Sequence, residues 1–445
     1  DGAVMNTGEN RQVLHHLTRG QIGKSVTVDG EDKREFYLAE LAKAKAFSEE
    51  VRNQKYLLST GKAVTHVVQI GIGGSDLGPR ALYLALNGWA KNEKIEIIPA
   101  SFISNVDPDD PSEVLSTLNA EETLFVLVSK SGTTLETLTN QRFVEGWLKK
   151  QNSKIDPSKH IVAVTSKSSP LAQSKEVAAS FFIDDYIGGR YSSTSTVGGV
   201  ILSIAYGFGV FEALLKGAHE ADKAALHPHI TENAALLDAL IGVYVRNVLA
   251  YPSTAILPYS QALTRFPAHL QQLDMESNGK SVNRRGEAIT YPTGPVIFGE
   301  PGTNGQHSFY QLLHQGSDVV PLQFIGFSES QLHQDLEVEG STSQEKLVAN
   351  LVAQIVAFAI GKGDENPNKV FSGNRPSSLL YAKRLTPEVL GALLSHYENK
   401  VMFQGFVWNL NSFDQEGVQL GKVLATKVLQ GGQGDEILQA YRSLF

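Results

Sequence analysis

Leu124-Phe125-Val126-Leu127-Val128-Ser129-Lys130-Ser131-Gly132-Thr133-Thr134-Leu135-Glu136-Thr137 is the stretch that decides the fold. Its first five residues form an uninterrupted apolar run, the pattern of a strand buried on both faces. Gly132 then permits a tight turn, and the spacing of Thr133 and Glu136 predicts a capping box at the start of a helix. A strand, a hydroxyl-rich loop and a helix N-terminus together offer free N–H groups, hydroxyl donors and a favourable dipole to an anion such as phosphate. Taken alone, the stretch reads first as an ordinary βα turn with a Ser/Thr cap.

A second loop of the same kind lies upstream. Val64 to Ile70 reads as a strand, followed by Gly71-Ile72-Gly73-Gly74-Ser75-Asp76-Leu77-Gly78 and a helix through Leu86. The dinucleotide fingerprint fails here, because Asp76 occupies the third glycine position and no acidic residue closes the next strand. No Gly-x-x-x-x-Gly-Lys-Ser/Thr occurs either. Two glycine- and hydroxyl-rich loops on neighbouring strands fit a sugar phosphate better than a nucleotide.

Outward from these loops, strands are expected at Ile95–Ile103, His160–Thr165 and Phe181–Ile183, each followed by a loop or helix. A helical zone from about Thr196 to Tyr251 leads to a second series, Thr254–Pro258, Pro295–Phe298, Val319–Phe327 and Ser378–Ala382, with a long helix over Ser343–Ile360. Such alternation predicts an α/β protein: doubly wound, mainly parallel sheets that bind ligands at the carboxyl ends of their strands. The expected divisions are an N-terminal helical segment (1–60), a first α/β domain (61–210), a second (211–386) and a helical C-terminal arm (387–445).

Composition narrows the function. The 445 residues carry a formal charge of −8 with no Lys/Arg block, which argues against nucleic acid. Cysteine is absent, which removes disulfides, Cys-ligated zinc and thiol nucleophiles and fits a reducing cytoplasm. No targeting segment is visible, although the sequence begins at Asp1 rather than Met. The longest uncharged apolar stretch, Val197 to Phe211, is short for a membrane span and reads as a buried helix. There is no His-Glu-x-x-His, and Asp107-Pro108-Asp109-Asp110-Pro111 reads as a turn and N-cap, so no metal is expected.

Several polar residues carry possible chemistry. Arg190, in Gly188-Gly189-Arg190-Tyr191-Ser192, either caps a turn or aims its guanidinium at an oxyanion. Glu276, in a segment with Gln271 and Gln272, ends a helix where the dipole disfavours a carboxylate; it is a solvated helix-end residue or a proton-transfer base. His307 leads a helix expected over Ser308–His314 and reads equally as a cap or as a proton-transfer group. Lys422 is a solvated helix lysine or a functional ammonium.

Gly71–Pro79, Ser129–Thr134, Gly188–Ser192, Gln272–Lys280, Gly299–Gly316 and Phe413–Lys422 occur in the order and character of the glucose-6-phosphate isomerase family, and Asn6–His15 resembles that family's N-terminal region. The likeness spans essentially the whole chain. It implies two sugar-isomerase (SIS) type domains with a C-terminal arm, assembled as a homodimer. It also implies isomerisation of glucose 6-phosphate to fructose 6-phosphate through an enediolate, without cofactor. By the same resemblance Gly74, Ser75, Ser129, Lys130, Ser131, Gly132, Thr133 and Thr134 form the sugar-phosphate pocket, with Gln272 and Gln415 as further contacts. Glu276 matches the base and Arg190 the group that stabilises the enediolate. His307 and Lys422 match the residues that open the sugar ring, His307 being contributed across the dimer interface. Family members carry a further helical segment ahead of this start, which implies a truncated form. Gln419 and Glu416 depart from the family's usual Glu and Trp, neither at a catalytic position. A dual phosphoglucose/phosphomannose isomerase and a non-catalytic sugar-phosphate sensor are the alternative readings, the second having no need of Glu276, Arg190, His307 and Lys422 together.

Overall fold

The computed structural model describes residues 2–431 and 435–445. Strands β1 (His66–Ile70), β2 (Ala100–Ile103), β3 (Thr123–Val128), β4 (Ile161–Thr165) and β5 (Ser180–Phe182) form an all-parallel sheet in the order β2-β1-β3-β4-β5. The apolar run read as a buried strand is β3, the middle strand of the sheet. Leu124 and Val126 face one core with Val67 and Val162, while Phe125 and Leu127 face another with Val68, Leu115, Val144 and Leu148; all are inaccessible or nearly so. Burial on both faces is why this strand reads as continuous rather than alternating.

A second parallel sheet, in the order β7-β6-β8-β9, comprises β6 (Ser253–Pro258), β7 (Val296–Phe298), β8 (Leu322–Phe327) and β9 (Ser377–Ala382). Each of its strands matches the expected position to within three residues at either end. The largest apolar core runs through both sheets, joining Val67 and Val126 to Ile256 and Ile325 by way of α1 (Thr196–Tyr206), α2 (Phe208–Ala224) and α3 (Pro387–Val407). The buried stretch expected as one helix over Val197–Phe211 is therefore two, α1 and α2, parted at Gly207. Among the described residues, no helix is long and apolar enough to cross a membrane.

The start of the chain is less helical than its pattern suggests. Two short hairpins, Val4–Asn6 with Arg11–Gln12 and Thr27–Val28 with Glu31–Asp32, flank a 3-10 turn at His15–Thr18. The helix Lys33–Arg52 follows, with Asp32 accepting the Glu35 N–H at its N-cap. At the far end, Gln419–Leu429 and Glu436–Arg442 are helices that bury no residue among those described, so Leu420, Val423, Ile437 and Tyr441 face solvent.

Candidate active site

In the order β2-β1-β3 the chain leaves β1 toward one edge of the sheet and returns at β3 to build the other, so β1 and β3 flank the switch point where a crevice opens. The two loops singled out in the sequence both lie at this edge. The first is a 3-10 turn, Gly73–Ser75, whose Ser75 carbonyl accepts from Gln69 Nε2 at 2.7 Å, so a β1 side chain braces it from below. The second follows β3. Its Ser129 carbonyl accepts from Thr165 Oγ1 on β4 at 2.7 Å, and Gly132 turns at φ +66°.

The expected capping box is not formed. The helix Leu135–Gln151 starts after Thr134 with no side-chain cap. The hydroxyls turn to each other instead: Ser129 Oγ lies 3.0 Å from Thr134 Oγ1, and Thr133 Oγ1 donates to Ser131 Oγ at 3.0 Å. The consequence favours a ligand, because the helix N-terminus keeps its dipole without a competing side-chain acceptor. Lys130 is directed away from this loop, donating to the Ile187 carbonyl at 3.3 Å; burial pulls its pKa below the usual lysine value while Asp185 opposes the shift.

A third loop, after β5, is drawn to the first by a close backbone approach. Gly74 packs against Gly189 so tightly that a Cβ on Gly74 would enter the Gly189 carbonyl. Gly74→Ala is therefore expected to destabilise the fold by about 1–3 kcal/mol through displacement of this loop; an unchanged urea midpoint would disprove the contact. The next residue, Arg190, is 1% exposed and becomes the hub of the site. Its Nη2 donates to the carbonyls of Ser412 (2.7 Å) and Asp414 (3.0 Å), and its Nε to Ser277 Oγ (2.6 Å). Its Nη1 faces Gln415 Oε1 at 3.2 Å and Glu276 Oε2 at 3.3 Å.

Glu276 closes a π-helical turn, Gln272–Glu276, that continues the α-helix Phe266–Gln271. π turns recur at functional sites because the extra residue re-aims side chains. Glu276, Gln272 and Gln415 line one cleft of about 970 Å³ together with Lys280 and Asp414. Gln272 Oε1 is a buried acceptor with no partner within the chain, and its Nε2 lies 3.2 Å from where a Gly73 Cβ would stand. Asp274, in the same turn, points elsewhere, into a buried cavity beside Asp238 and Lys400. Burial pushes its carboxyl up to about 7, with Lys400 opposing. Among the described residues, no group of three or more His, Asp or Glu side chains is placed to hold a metal ion.

Two candidates stand apart. His307 closes a 3-10 turn, Asn304–His307, and is exposed; the α-helix begins only at Tyr310, so the expected His-led helix is corrected to a turn with its own short hydrogen bonds. Lys422 is exposed on the helix Gln419–Leu429. Neither has a contact in this chain with Arg190, Glu276 or the hydroxyl loop.

The model of the phosphoglucose isomerase family matches residues 1–443. The chain belongs to that family. A glucose-6-phosphate isomerase of Treponema denticola is 65% identical over 429 residues, 96% of this chain and 81% of its own length. One of Borreliella burgdorferi is 52% identical over 444 residues, 99% of this chain and 84% of its own length. The crystal structure of a glucose-6-phosphate isomerase from Chlamydia trachomatis superposes with a TM-score of 0.92 at 44% identity, covering 100% of this chain and 84% of that one. Gln419 and Glu416, the departures from the phosphoglucose isomerase pattern, are both exposed, and Glu416, directly after Gln415, lines the same cleft as Gln272 and Glu276. Sequence reading missed Ser277, Ser412 and Asp414, which anchor Arg190, and Tyr191, which bonds Ser277. Ser277 alone had a local signal, as a small hydroxyl residue directly after Glu276 in Glu-Ser-Asn-Gly-Lys.

Proposed function

We propose that the protein is a cytoplasmic, homodimeric isomerase that interconverts glucose 6-phosphate and fructose 6-phosphate, a step of glycolysis and gluconeogenesis. The observation that carries this reading is the buried Arg190 guanidinium, held 3.3 Å from the carboxylate of Glu276, which lines the cleft with Gln272 and Gln415. In the proposed reaction the Ser129–Thr134 loop, with Gly74 and Ser75, grips the phosphate, and that remote binding energy positions C1 and C2. Gln272 and Gln415 take sugar hydroxyls. Lys422 and the partner copy's equivalent of His307 open the ring by delivering a proton to the ring oxygen and removing one from the C1 hydroxyl.

In the open-chain aldose the Glu276 carboxylate then removes the C2 proton. The C2–H electron pair forms the C1–C2 double bond, and the aldehyde oxygen becomes the enediolate oxygen beside Arg190. The hydroxyl proton passes from O2 to O1, the C2 carbonyl forms, and the Glu276 carboxyl returns its proton to C1. Atoms and charge balance without a cofactor. The test is a coupled assay of fructose 6-phosphate conversion with EDTA present; no turnover in folded wild type overturns the reading. The combined Ser129→Ala and Thr134→Ala change is expected to raise KM by about 10–100-fold, and an unchanged KM would place the phosphate elsewhere.

A further inference from the structure

We propose that Ser277 is a positioning residue for the isomerisation, its hydroxyl fixing the Arg190 guanidinium in the orientation that faces Glu276 and the substrate. The inference rests on the isomerase reading above and names a part of the machinery that reading does not need. Ser277 directly follows the base, is 0% exposed, and reaches across to the loop after β5.

The direction of its bond to Arg190 follows from elimination. A guanidinium has no acceptor, so Ser277 Oγ accepts from Arg190 Nε–H at 2.6 Å. Ser277 Oγ and Tyr191 OH lie 2.9 Å apart, a pair in which either hydroxyl can donate; when Tyr191 donates to the Ser412 carbonyl at 3.5 Å, the Ser277 proton goes to Tyr191. Tyr191 is itself held by stacking on His15, with ring centroids 4.8 Å apart.

The planar fork is thus pinned on two of its three nitrogens. Nη2 is held by the Ser412 and Asp414 carbonyls and Nε by Ser277, which leaves Nη1 toward Glu276 and Gln415. All three anchoring acceptors are neutral. A carboxylate at the Ser277 position would hold Arg190 as firmly, yet would offset the positive charge needed where the enediolate oxygen develops. A hydroxyl orients the cation without neutralising it. Because Ser277 and Glu276 share one helical end, base and cation are also indexed to each other.

Ser277→Ala leaves a buried N–H without a partner and frees the fork to rotate. It is expected to lower kcat about 10–100-fold with KM for fructose 6-phosphate nearly unchanged. A sugar-phosphate hydroxamate, which mimics the enediolate, should lose affinity by a similar factor, while an open-chain polyol phosphate, which mimics the ground state, should keep its own. Ser277→Thr, which keeps the oxygen, should restore most of the rate. If Ser277→Ala fails to fold, Tyr191→Phe carries the test, since it removes the hydroxyl 2.9 Å from Ser277 Oγ and should show a smaller loss of the same kind. Wild-type kcat in Ser277→Ala, or equal weakening of both analogues, overturns the proposal. An inactive wild type would instead overturn the isomerase reading, and would do so before any variant is compared.

Discussion

Replacing Glu276 by Gln is expected to lower turnover by at least about 10²–10⁴-fold while leaving KM nearly unchanged. The substitution removes the proton acceptor and little else. Gln has the same length and can still present an oxygen to Arg190 Nη1, which now stands 3.3 Å from Glu276 Oε2. The Glu276 side chain is 23% exposed, so an amide there is solvated rather than stranded, and the turn Gln272–Glu276 should persist. The hydroxyl loop after β3 lies on a different segment and is untouched, which is why binding should survive. The measurement is kcat and KM in the coupled assay, supplemented by deuterium at C2 of glucose 6-phosphate. Wild type should exchange the label with solvent or move it to C1; the variant should do neither. Near-normal turnover would remove Glu276 from the base role.

The contrast between this residue and its partners shows what a sequence exposes and what it hides. The β3 run and the helix Ser343–Ile360 were legible because their patterns are local. Leu124 to Leu127 are apolar without interruption, and Thr342 with Glu345 forms a true capping box. Thr133 and Glu136 have the same spacing, but the loop's hydroxyls satisfy one another, so a tertiary choice overrode a local signal. The anchors of Arg190 were hidden for another reason. Two of them are backbone carbonyls, of Ser412 and Asp414, more than 200 positions away. Every residue has a carbonyl, so composition cannot mark those that matter. What holds the 411–414 segment in place is visible only in three dimensions: Lys280 Nζ on Asp414, Asn411 Nδ2 on Asp414 Oδ2, and Ser412 Oγ donating to Asn278 Oδ1. Gly74 is required because the Gly189 carbonyl occupies the space of its Cβ, an approach between two loops that neither loop's own sequence marks.

Mixing two inactive variants is expected to restore about a quarter of the wild-type rate, provided the sites are shared across a two-fold dimer. The variants are Glu276→Gln and His307→Ala. In a homodimer of either, both sites lack one residue. In a mixed dimer, one site takes Glu276 from the His307→Ala chain and His307 from the Glu276→Gln chain and is complete; the other lacks both. Random exchange makes about half the dimers mixed, and half their sites are whole. The expectation is supported by His307 being exposed and forming no hydrogen bond or ion pair with Arg190 or Glu276 of its own chain. It is supported also by the helices at the C-terminus, where Leu420 is 69% and Ile437 70% exposed, apolar surface of the kind that a second copy would cover. The experiment exchanges subunits at mild denaturant, verifies mixed dimers by native mass spectrometry of a tagged chain, and reads the rate against the mixing ratio. A parabola peaking at equal proportions supports the shared site. A flat line in the presence of mixed dimers means that each chain assembles its own complete site, and then His307 is either supplied from within the chain or has no part in ring opening.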